Sequence, residues 1–326
     1  MKYTSNQIIK FLQASPGKYT SGESINKELI LSRSVINSHI KLLDKQNHSV
    51  EWEFQQGYQL PQKNDLLNSE EISAGLETEF CGSNIHCFTS TDSTNHQAHI
   101  LAAQGAANGS VVLTEEQTGG KGRRGRSWFS PKGGGLWMSI LLYPRGQSPE
   151  KFSPFTAAAA VMIAKALNRF SKQPITVKWP NDLLVEGKKV GGILTEMNMN
   201  SNEVNYIILG LGININQASQ DFPPELQETA TSLHASSGYY YNRQLLCCSI
   251  LNEIEDGYLL FLRDGFAPFR EAWKELSSTL GEEISIHCGK RNHKGLAVDI
   301  DEQGALVIKD NTDTRHHFSY GEIEHI

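Results

Sequence analysis

The chain has 326 residues, of which 39% are hydrophobic and 20% are charged, as is usual for globular proteins. Its 36 acidic and 30 basic residues give a net charge of −6, which excludes a general polyanion binder. The longest apolar runs, such as 155–164, are too short to span a bilayer, and we expect no signal peptide and no membrane partner. The five cysteines show no CxxC spacing, so we expect reduced thiols and a cytoplasmic protein.

The first 64 residues predict a small helical domain that ends in a hairpin. Apolar residues recur at helical spacing over 5–14, again from Ser21 onward, and in a third helix over 33–46. The segment 50–60 then predicts a β-hairpin. This order of elements is typical of a winged helix-turn-helix.

The polar side of the third helix suits contacts with nucleic acid. Side chains that can bond base edges or phosphates lie off its apolar stripe, namely Arg33, Ser34, Asn37, Ser38 and Lys41. Residues 1–64 hold eight basic and five acidic side chains, a charge of +3 against −9 for the remainder. This imbalance favours DNA binding over the alternative, a module for packing or dimerisation only.

A linker is predicted at Pro61 and the polar run 62–67, and an α/β domain follows from about residue 68. Its predicted strands are 85–88, 110–114, 136–142, 175–179, 183–185, 189–196 and 206–211. Its predicted helices are 97–104, 153–170 and one or two over 243–273.

After Gly281 the pattern changes to short alternating strands, predicted at 282–288, 296–299, 306–309 and 316–320. Glycine-containing turns separate these strands, so we expect a small C-terminal β-barrel. His316 and His317 have no His or Cys partner at ligand spacing, and we therefore expect no metal site.

One loop of the central domain combines flexibility with positive charge. Between Gly119 and Gly135 lie seven glycines and five basic residues, with no acidic residue. Glycine permits close approach of the backbone, and unopposed cations attract anions. The segment predicts a loop that closes over phosphate or carboxylate, with a solvated basic loop as the alternative.

Four polar clusters lie beside predicted strand ends: 93–95, 117–126, Lys178 to Asp182 with Lys189, and Asn214. The first cluster and Gln117 suit a neutral polar ligand group, and the cations suit carboxylate and phosphate. Asp182 suits a place near metal-bound phosphate or beside Lys189, and Trp128 suits stacking on a flat ring. There is no Walker A loop, HExxH motif or GxSxG nucleophile elbow.

Four motifs occur in the order and approximate spacing of biotin–protein ligases. They are STN at 93–95, GGKGRRGR at 119–126 followed by SWFSP, KWPNDLLVEGKKVGGILTE at 178–196, and GLGININ at 210–216. With the N-terminal helices, essentially the whole chain resembles the bifunctional type, a biotin–acetyl-CoA-carboxylase ligase that is also the biotin operon repressor. Two positions depart from the family pattern: Lys121 replaces an arginine and so lacks its planar fork, and His96 replaces a glutamine.

The resemblance implies a multidomain α/β fold. It comprises a winged helix-turn-helix over 1–64, a mixed-sheet catalytic domain resembling class II synthetases over 68–275, and an SH3-like barrel over 276–326. It also implies that biotin and Mg²⁺-bound ATP form biotinyl-5′-AMP, whose biotinyl group passes to a lysine of the biotin carboxyl carrier protein. Biotinyl-5′-AMP would also favour a homodimer that binds operator DNA.

Site residues follow from the resemblance by position. Those expected at biotin are Ser93, Thr94, Asn95, Gln117, Lys121, Gly122, Arg123 and Lys189. Those expected at the adenylate are Arg124, Trp128 and Asn214, and those expected to act in catalysis are Lys189, Arg123, Asp182 and Lys178.

Three alternatives remain open from the sequence. The first is a ligand-sensing transcription factor without catalysis, against which the retained cations argue. The second is a lipoate or octanoate transferase, which needs a longer apolar pocket. The third is a ligase whose N-terminal domain no longer binds DNA. The sequence separates this alternative least well from a DNA-binding ligase, because the charge excess of residues 1–64 is only +3.

Overall fold

The computed structural model describes residues 8, 11–12, 19–44, 51–53, 56–59, 66–200, 203–289 and 291–325. The chain divides into two compact units, Met1–Asp65 with Gly238–Tyr240, and Leu66–Ser237 with Tyr241–Ile326. Residues 61–65 of the predicted linker over 61–67, and most of the predicted helix over 5–14, lie outside the described residues.

The N-terminal unit contains the predicted helix-turn-helix. Helix α1 (Gly22–Leu29) begins after Ser21, whose hydroxyl accepts from the Ser24 amide, and α2 (Arg33–Asp44) follows a short turn. Strands β1 (Glu51–Glu53) and β2 (Gly57–Gln59) pair as an antiparallel hairpin. Five apolar side chains form the core of the unit: Ile8, Leu12, Ile25, Ile36 and Ile40.

A seven-stranded mixed sheet forms the centre of the second unit, in the order β3-β4-β5-β9-β8-β7-β6. Only β3 and β4 are parallel. The strands are β3 (Ile85–Phe88), β4 (Val111–Thr114), β5 (Gly135–Leu142), β6 (Ile175–Lys178), β7 (Asp182–Val185), β8 (Lys188–Met199) and β9 (Val204–Asn214). The mixed sheet confirms the predicted fold class.

Helices cover both faces of this sheet. The alanine-rich helix α6 (Phe155–Asn168) is buried along most of its length, because small side chains allow close packing on the sheet and on helix α8 (Arg243–Asp264). On the other face, α4 (Thr94–Ala103) packs through Ala98 on Val112 and Ile208. The helices of the unit are α3 (Ser69–Ala74), α4, α5 (Pro149–Phe152), α6, α7 (Leu233–Ser237), α8 (Arg243–Asp264) and α9 (Ala267–Leu276).

Helix α4 begins three residues before the predicted start at Gln97. Ser93 is extended, with φ −159° and ψ 135°, and its carbonyl accepts the Gln97 amide at 3.0 Å. Thr94 and Asn95 therefore occupy the first helical turn, and both side chains are buried against the sheet.

A buried ion pair fixes the start of the second unit. Arg243 Nη2 lies 3.0 Å from Glu115 Oε2, and the two side chains are 1% and 5% exposed. The other carboxylate oxygen of Glu115 accepts the Leu67 amide at 2.7 Å. This pair joins the end of β4 to the beginning of α8.

The C-terminal residues form a five-stranded antiparallel sheet in the order β13-β12-β11-β10-β14. Its strands are β10 (Glu283–Cys288), β11 (Arg291–Ile300), β12 (Leu306–Lys309), β13 (Arg315–Phe318) and β14 (Glu322–His325). The sequence predicted four of these strands and missed β14. That strand is short and polar, and its pairing with β10 defines it.

Candidate active site

A cavity of about 480 Å³ opens beside the ends of β6 to β9 in the second unit. The structure brings together in its wall nearly all the residues that the sequence predicted: Ser93, Thr94, Asn95, Gln117, Lys121, Gly122, Arg123, Trp128, Lys178, Asp182, Lys189 and Asn214. Arg124 is the predicted residue of this group that does not line the wall.

One end of the cavity is neutral and polar. The Thr94 amide and hydroxyl lie 2.9 Å and 3.2 Å from Gln117 Oε1, and Gln117 Nε2 donates to Ser130 Oγ at 2.9 Å. Ser139, which the sequence did not indicate, bridges Thr94 and Asn95 with contacts of 2.7 Å and 2.6 Å. This end is a preformed network in which each side chain is oriented by its neighbours.

Glycines on β9 leave room for side chains that line the cavity. A Cβ on Gly210 would lie 2.8 Å from Asn95 Cγ, and one on Gly212 would lie 2.6 Å from Cε2 of Trp128. A side chain at either position would displace the groups that line the cavity. The Trp128 Nε1 atom is buried and has no hydrogen-bond partner.

The opposite end carries a half-buried ion pair. Lys189 Nζ lies 2.7 Å from Asp182 Oδ1 and 5.1 Å from the centre of the Trp128 ring. The register between β7 and β8 shifts at Leu183 and Leu184, so a bulge directs Lys189 at the cavity. A cation held beside a carboxylate and an aromatic face suits the binding of an anionic, planar ligand.

The predicted basic loop also lies at this cavity and is attached to the C-terminal sheet. Arg123 donates to Asn181 Oδ1 at 3.2 Å and to the Gly321 carbonyl at 3.4 Å. Burial, with the nearby Arg124 charge, lowers the pKa of the Arg123 guanidinium below its ordinary value. Arg124, at φ 57°, turns away and lies 3.4 Å from Glu322, while Arg126 lies 2.7 Å from the same carboxylate.

Lys121, Lys178 and Asn214 have different surroundings. The backbone of Lys121 forms a β-bridge with that of Ser127 across the loop. Lys178 lies opposite Asp182 in the antiparallel backbone register of β6 and β7. Asn214 is buried, and its amide donates to the Thr231 carbonyl at 3.0 Å. Asn214 thereby fixes the segment that follows β9.

Sequence reasoning missed several residues of the wall: Arg126, Phe129, Asn181, Phe222, Leu226, Thr229 and Ala230. Asn181 and Phe129 stand inside quoted motifs and could have been added on that signal. Phe222 has no local signal, because the tertiary fold brings its ring to 6.3 Å from Phe129.

The five residues predicted at DNA are all exposed on α2. Arg33 pairs with Glu23 at 2.6 Å, Ser34 contacts Ser32, and Asn37 accepts from the Tyr58 hydroxyl. Lys41 stands in the last turn of the helix.

Neither a metal-binding group nor a membrane-spanning helix occurs in the part of the chain that the structure describes. Over these residues, no three His, Cys, Asp or Glu side chains are grouped so that they could hold a metal ion, and no helix is both long and apolar enough to cross a bilayer.

Comparison with known proteins identifies three segments. Residues 87–214 match the biotin/lipoate A/B protein ligase family, residues 279–326 match the biotin protein ligase C-terminal domain, and residues 4–59 match a helix-turn-helix domain. The chain is 35% identical to the bifunctional ligase/repressor BirA of Bacillus spizizenii over 93% of each chain. The chain belongs to the family of bifunctional biotin ligase/repressors.

Other relatives agree with this assignment. The BirA of Escherichia coli (strain K12) is 30% identical over 90% of this chain and 89% of that protein. The biotin protein ligase of Aquifex aeolicus, solved in complex with biotin and ATP, superposes with a TM-score of 0.65 at 28% identity. The superposition covers 74% of this chain and 98% of the Aquifex aeolicus chain. As a bifunctional biotin ligase/repressor, the protein combines an enzyme and a helix-turn-helix in one chain, as its motifs predicted.

Proposed function

We propose that the cavity activates biotin with ATP and then transfers the biotinyl group to a lysine of the biotin carboxyl carrier protein of acetyl-CoA carboxylase. The supporting observation is that a neutral hydrogen-bonding end at Asn95 and a cationic end at Lys189 lie in one cavity. The Aquifex aeolicus relative, with biotin and ATP bound, supports the same two substrates.

In the first proposed step, a biotin carboxylate oxygen attacks the α-phosphorus of ATP. The bond to the β-phosphate oxygen breaks, and pyrophosphate leaves with the electron pair. No protein nucleophile is required, so the chain contributes positioning and positive charge. Lys189 and Arg123 neutralise the carboxylate and α-phosphate, and Mg²⁺ arriving with ATP neutralises the remaining phosphates.

In the second proposed step, the neutral amine of the acceptor lysine attacks the carbonyl carbon of biotinyl-5′-AMP. An amide bond forms, the bond from the carbonyl carbon to the phosphate oxygen breaks, AMP leaves with that electron pair, and one amine proton passes to solvent. The loop that carries Arg123 retains the reactive anhydride until the acceptor arrives. Asp182 keeps Lys189 in place through their ion pair, and Lys178 adds a cation to the same wall.

The proposed biotin contacts are Ser93, Thr94, Asn95, Gln117, Lys121, Gly122, Arg123 and Lys189. Trp128 and Asn214 lie at the proposed adenylate end. Arg124 reaches an adenylate only if it leaves Glu322, which the flanking glycines permit.

For repression, we propose that residues 1–64 bind operator DNA through the exposed side chains of α2. Biotinyl-5′-AMP acts as corepressor by ordering the glycine-rich loop and favouring a homodimer. Residues 68–275 then form the catalytic domain and 276–326 the C-terminal domain. Sedimentation with and without biotinyl-5′-AMP tests the dimer, and an unchanged monomer mass contradicts it.

The deciding experiment is intact-mass measurement of a biotin-carrier domain after incubation with the protein, biotin and Mg²⁺-ATP. We expect a gain of one biotinyl group, which is lost when the acceptor lysine is replaced and when Lys189→Ala removes the cation. Tight biotin binding without any mass gain would support the sensor without catalysis.

A further inference from the structure

The orientation of the Asn95 amide is imposed by a carboxylate that does not line the cavity. Asn95 Nδ2 lies 2.6 Å from Glu196 Oε2 and 3.4 Å from the Leu194 carbonyl oxygen. Both partners accept hydrogen bonds and cannot donate them, so the amide nitrogen must face β8. Both amide hydrogens of Asn95 are thereby directed away from a ligand.

The oxygen of the same amide faces the opposite way. Asn95 Oδ1 accepts from the Ser139 hydroxyl at 2.6 Å and lies over Gly210, where no side chain intervenes. An amide oxygen has two lone pairs, so one remains after the bond from Ser139. Asn95 therefore offers a ligand an acceptor and no donor.

A second side chain of helix α4, that of His99, also contacts Glu196. His99, one helical turn after Asn95, places Nε2 3.5 Å from Glu196 Oε2. His99 Nδ1 lies 3.2 Å from the Tyr206 hydroxyl, a contact that holds the ring with Nε2 facing Glu196. His99 Nε2 and Asn95 Nδ2 thus lie beside the same carboxylate oxygen, Oε2, which keeps that oxygen at Asn95.

We propose that Glu196 is a specificity-determining residue, which fixes the Asn95 amide so that the cavity selects a ligand with an N–H donor. This inference rests on the proposed function, in which that donor is a ureido N–H group of biotin. A ligand without the donor leaves the Asn95 oxygen unpaired, and such sites reject analogues strongly. Glu196 acts through Asn95 and is a positioning residue, since it does not touch the ligand.

The test compares Glu196→Met, which removes the acceptor, with Glu196→Gln, which retains one acceptor oxygen. The side chain of Glu196 is 42% exposed, so both full-length variants are expected to fold. We expect Glu196→Met to raise KM for biotin about tenfold, while kcat at saturating biotin and KM for ATP stay within about twofold. In Glu196→Gln we expect KM for biotin to return most of the way to that of the unmodified protein. Glu203→Gln, an exposed carboxylate in the turn of the same β8–β9 hairpin, serves as the matched control.

Two further calorimetric measurements separate this role from a structural one. Selectivity for biotin over an analogue methylated at both ureido nitrogens falls in Glu196→Met. In the Asn95→Ala background, Glu196→Met has no further effect on biotin affinity. An undiminished effect in that background, or unchanged biotin affinity in the single variant, overturns the inference. Absence of biotin binding by the unmodified protein overturns the proposed function instead.

Discussion

Glu322 of the C-terminal sheet holds the basic loop to which we have assigned retention of the reaction intermediate. Its carboxylate lies 2.7 Å from Arg126 and 3.4 Å from Arg124. Arg124 adopts φ 57°, a conformation that costs a residue with a side chain about 1 kcal/mol or more. The two ion pairs oppose this cost, so removing them favours opening of the loop. We therefore expect Glu322→Gln to release biotinyl-5′-AMP faster.

The size of the effect follows from the exposure of the groups. The Glu322 side chain is 33% exposed, and those of Arg126 and Arg124 are 65% and 45% exposed. Ion pairs of this kind contribute about 0.2–1 kcal/mol each. The two together correspond to a release rate that is about 2- to 30-fold higher, and the difference shrinks in high salt because screening weakens both pairs.

The assay is the rate at which labelled biotinyl-5′-AMP leaves the protein after a chase with unlabelled intermediate. Glu324→Gln is a matched control, because this carboxylate lies on the same strand, is 74% exposed and faces His287 instead. A release rate in Glu322→Gln equal to that of the control at low salt would refute the reasoning.

Three other predictions follow from particular contacts. Gly212→Ala places a Cβ 2.6 Å from Cε2 of Trp128 and so displaces the ring that we propose at the adenylate. If the displacement costs the bound state the ~1–3 kcal/mol typical of overpacking, ATP affinity by calorimetry falls at least fivefold, and an unchanged affinity contradicts this. Glu115→Leu leaves its buried arginine partner without a countercharge and lowers the free energy of unfolding in urea by about 3–5 kcal/mol, and a loss below about 1 kcal/mol argues against it. Burial alone would raise the pKa of Asp92, but hydrogen bonds, the strongest from His96, lower it to about 2. The ionised Asp92 carboxylate therefore stabilises the folded protein fully above the pKa of about 3.9 that it has in the unfolded chain, and this contribution is lost as pH falls through about 2. Asp92→Asn should cost about 1 kcal/mol at pH 7, after discounting for solvent screening, and only a small part of this near pH 2, as thermal melts would show.

Local features of the sequence sufficed to predict the helix-turn-helix and most strands. The apolar spacing of α2 and the alternation in β10 and β12 reflect which face each element buries, and that pattern is written in neighbouring residues. The predicted start of α4 was wrong because Ser93 precedes the helix without a side-chain cap that the sequence would indicate. Thr94 and Asn95 are buried because they pack on the sheet beneath them. The strand β14 was missed because its pairing partner β10 lies far away in the sequence.

The sequence by itself determined which chemical groups meet at the cavity, because motif spacing placed hydroxyls, amides and cations at successive strand ends. Only the tertiary structure decided how these groups are held. Ser139 on β5 and Glu196 on β8 orient Asn95 of helix α4, and Glu322 reaches the basic loop from the C-terminal sheet. Ser139 and Glu196 lie 44 and 101 residues from Asn95 in the chain, and although Glu196 ends a quoted motif, nothing in the sequence indicates which side chain it contacts. Their roles arise from the geometry of the fold, since hydrogen bonds and ion pairs require contact that sequence spacing alone does not specify.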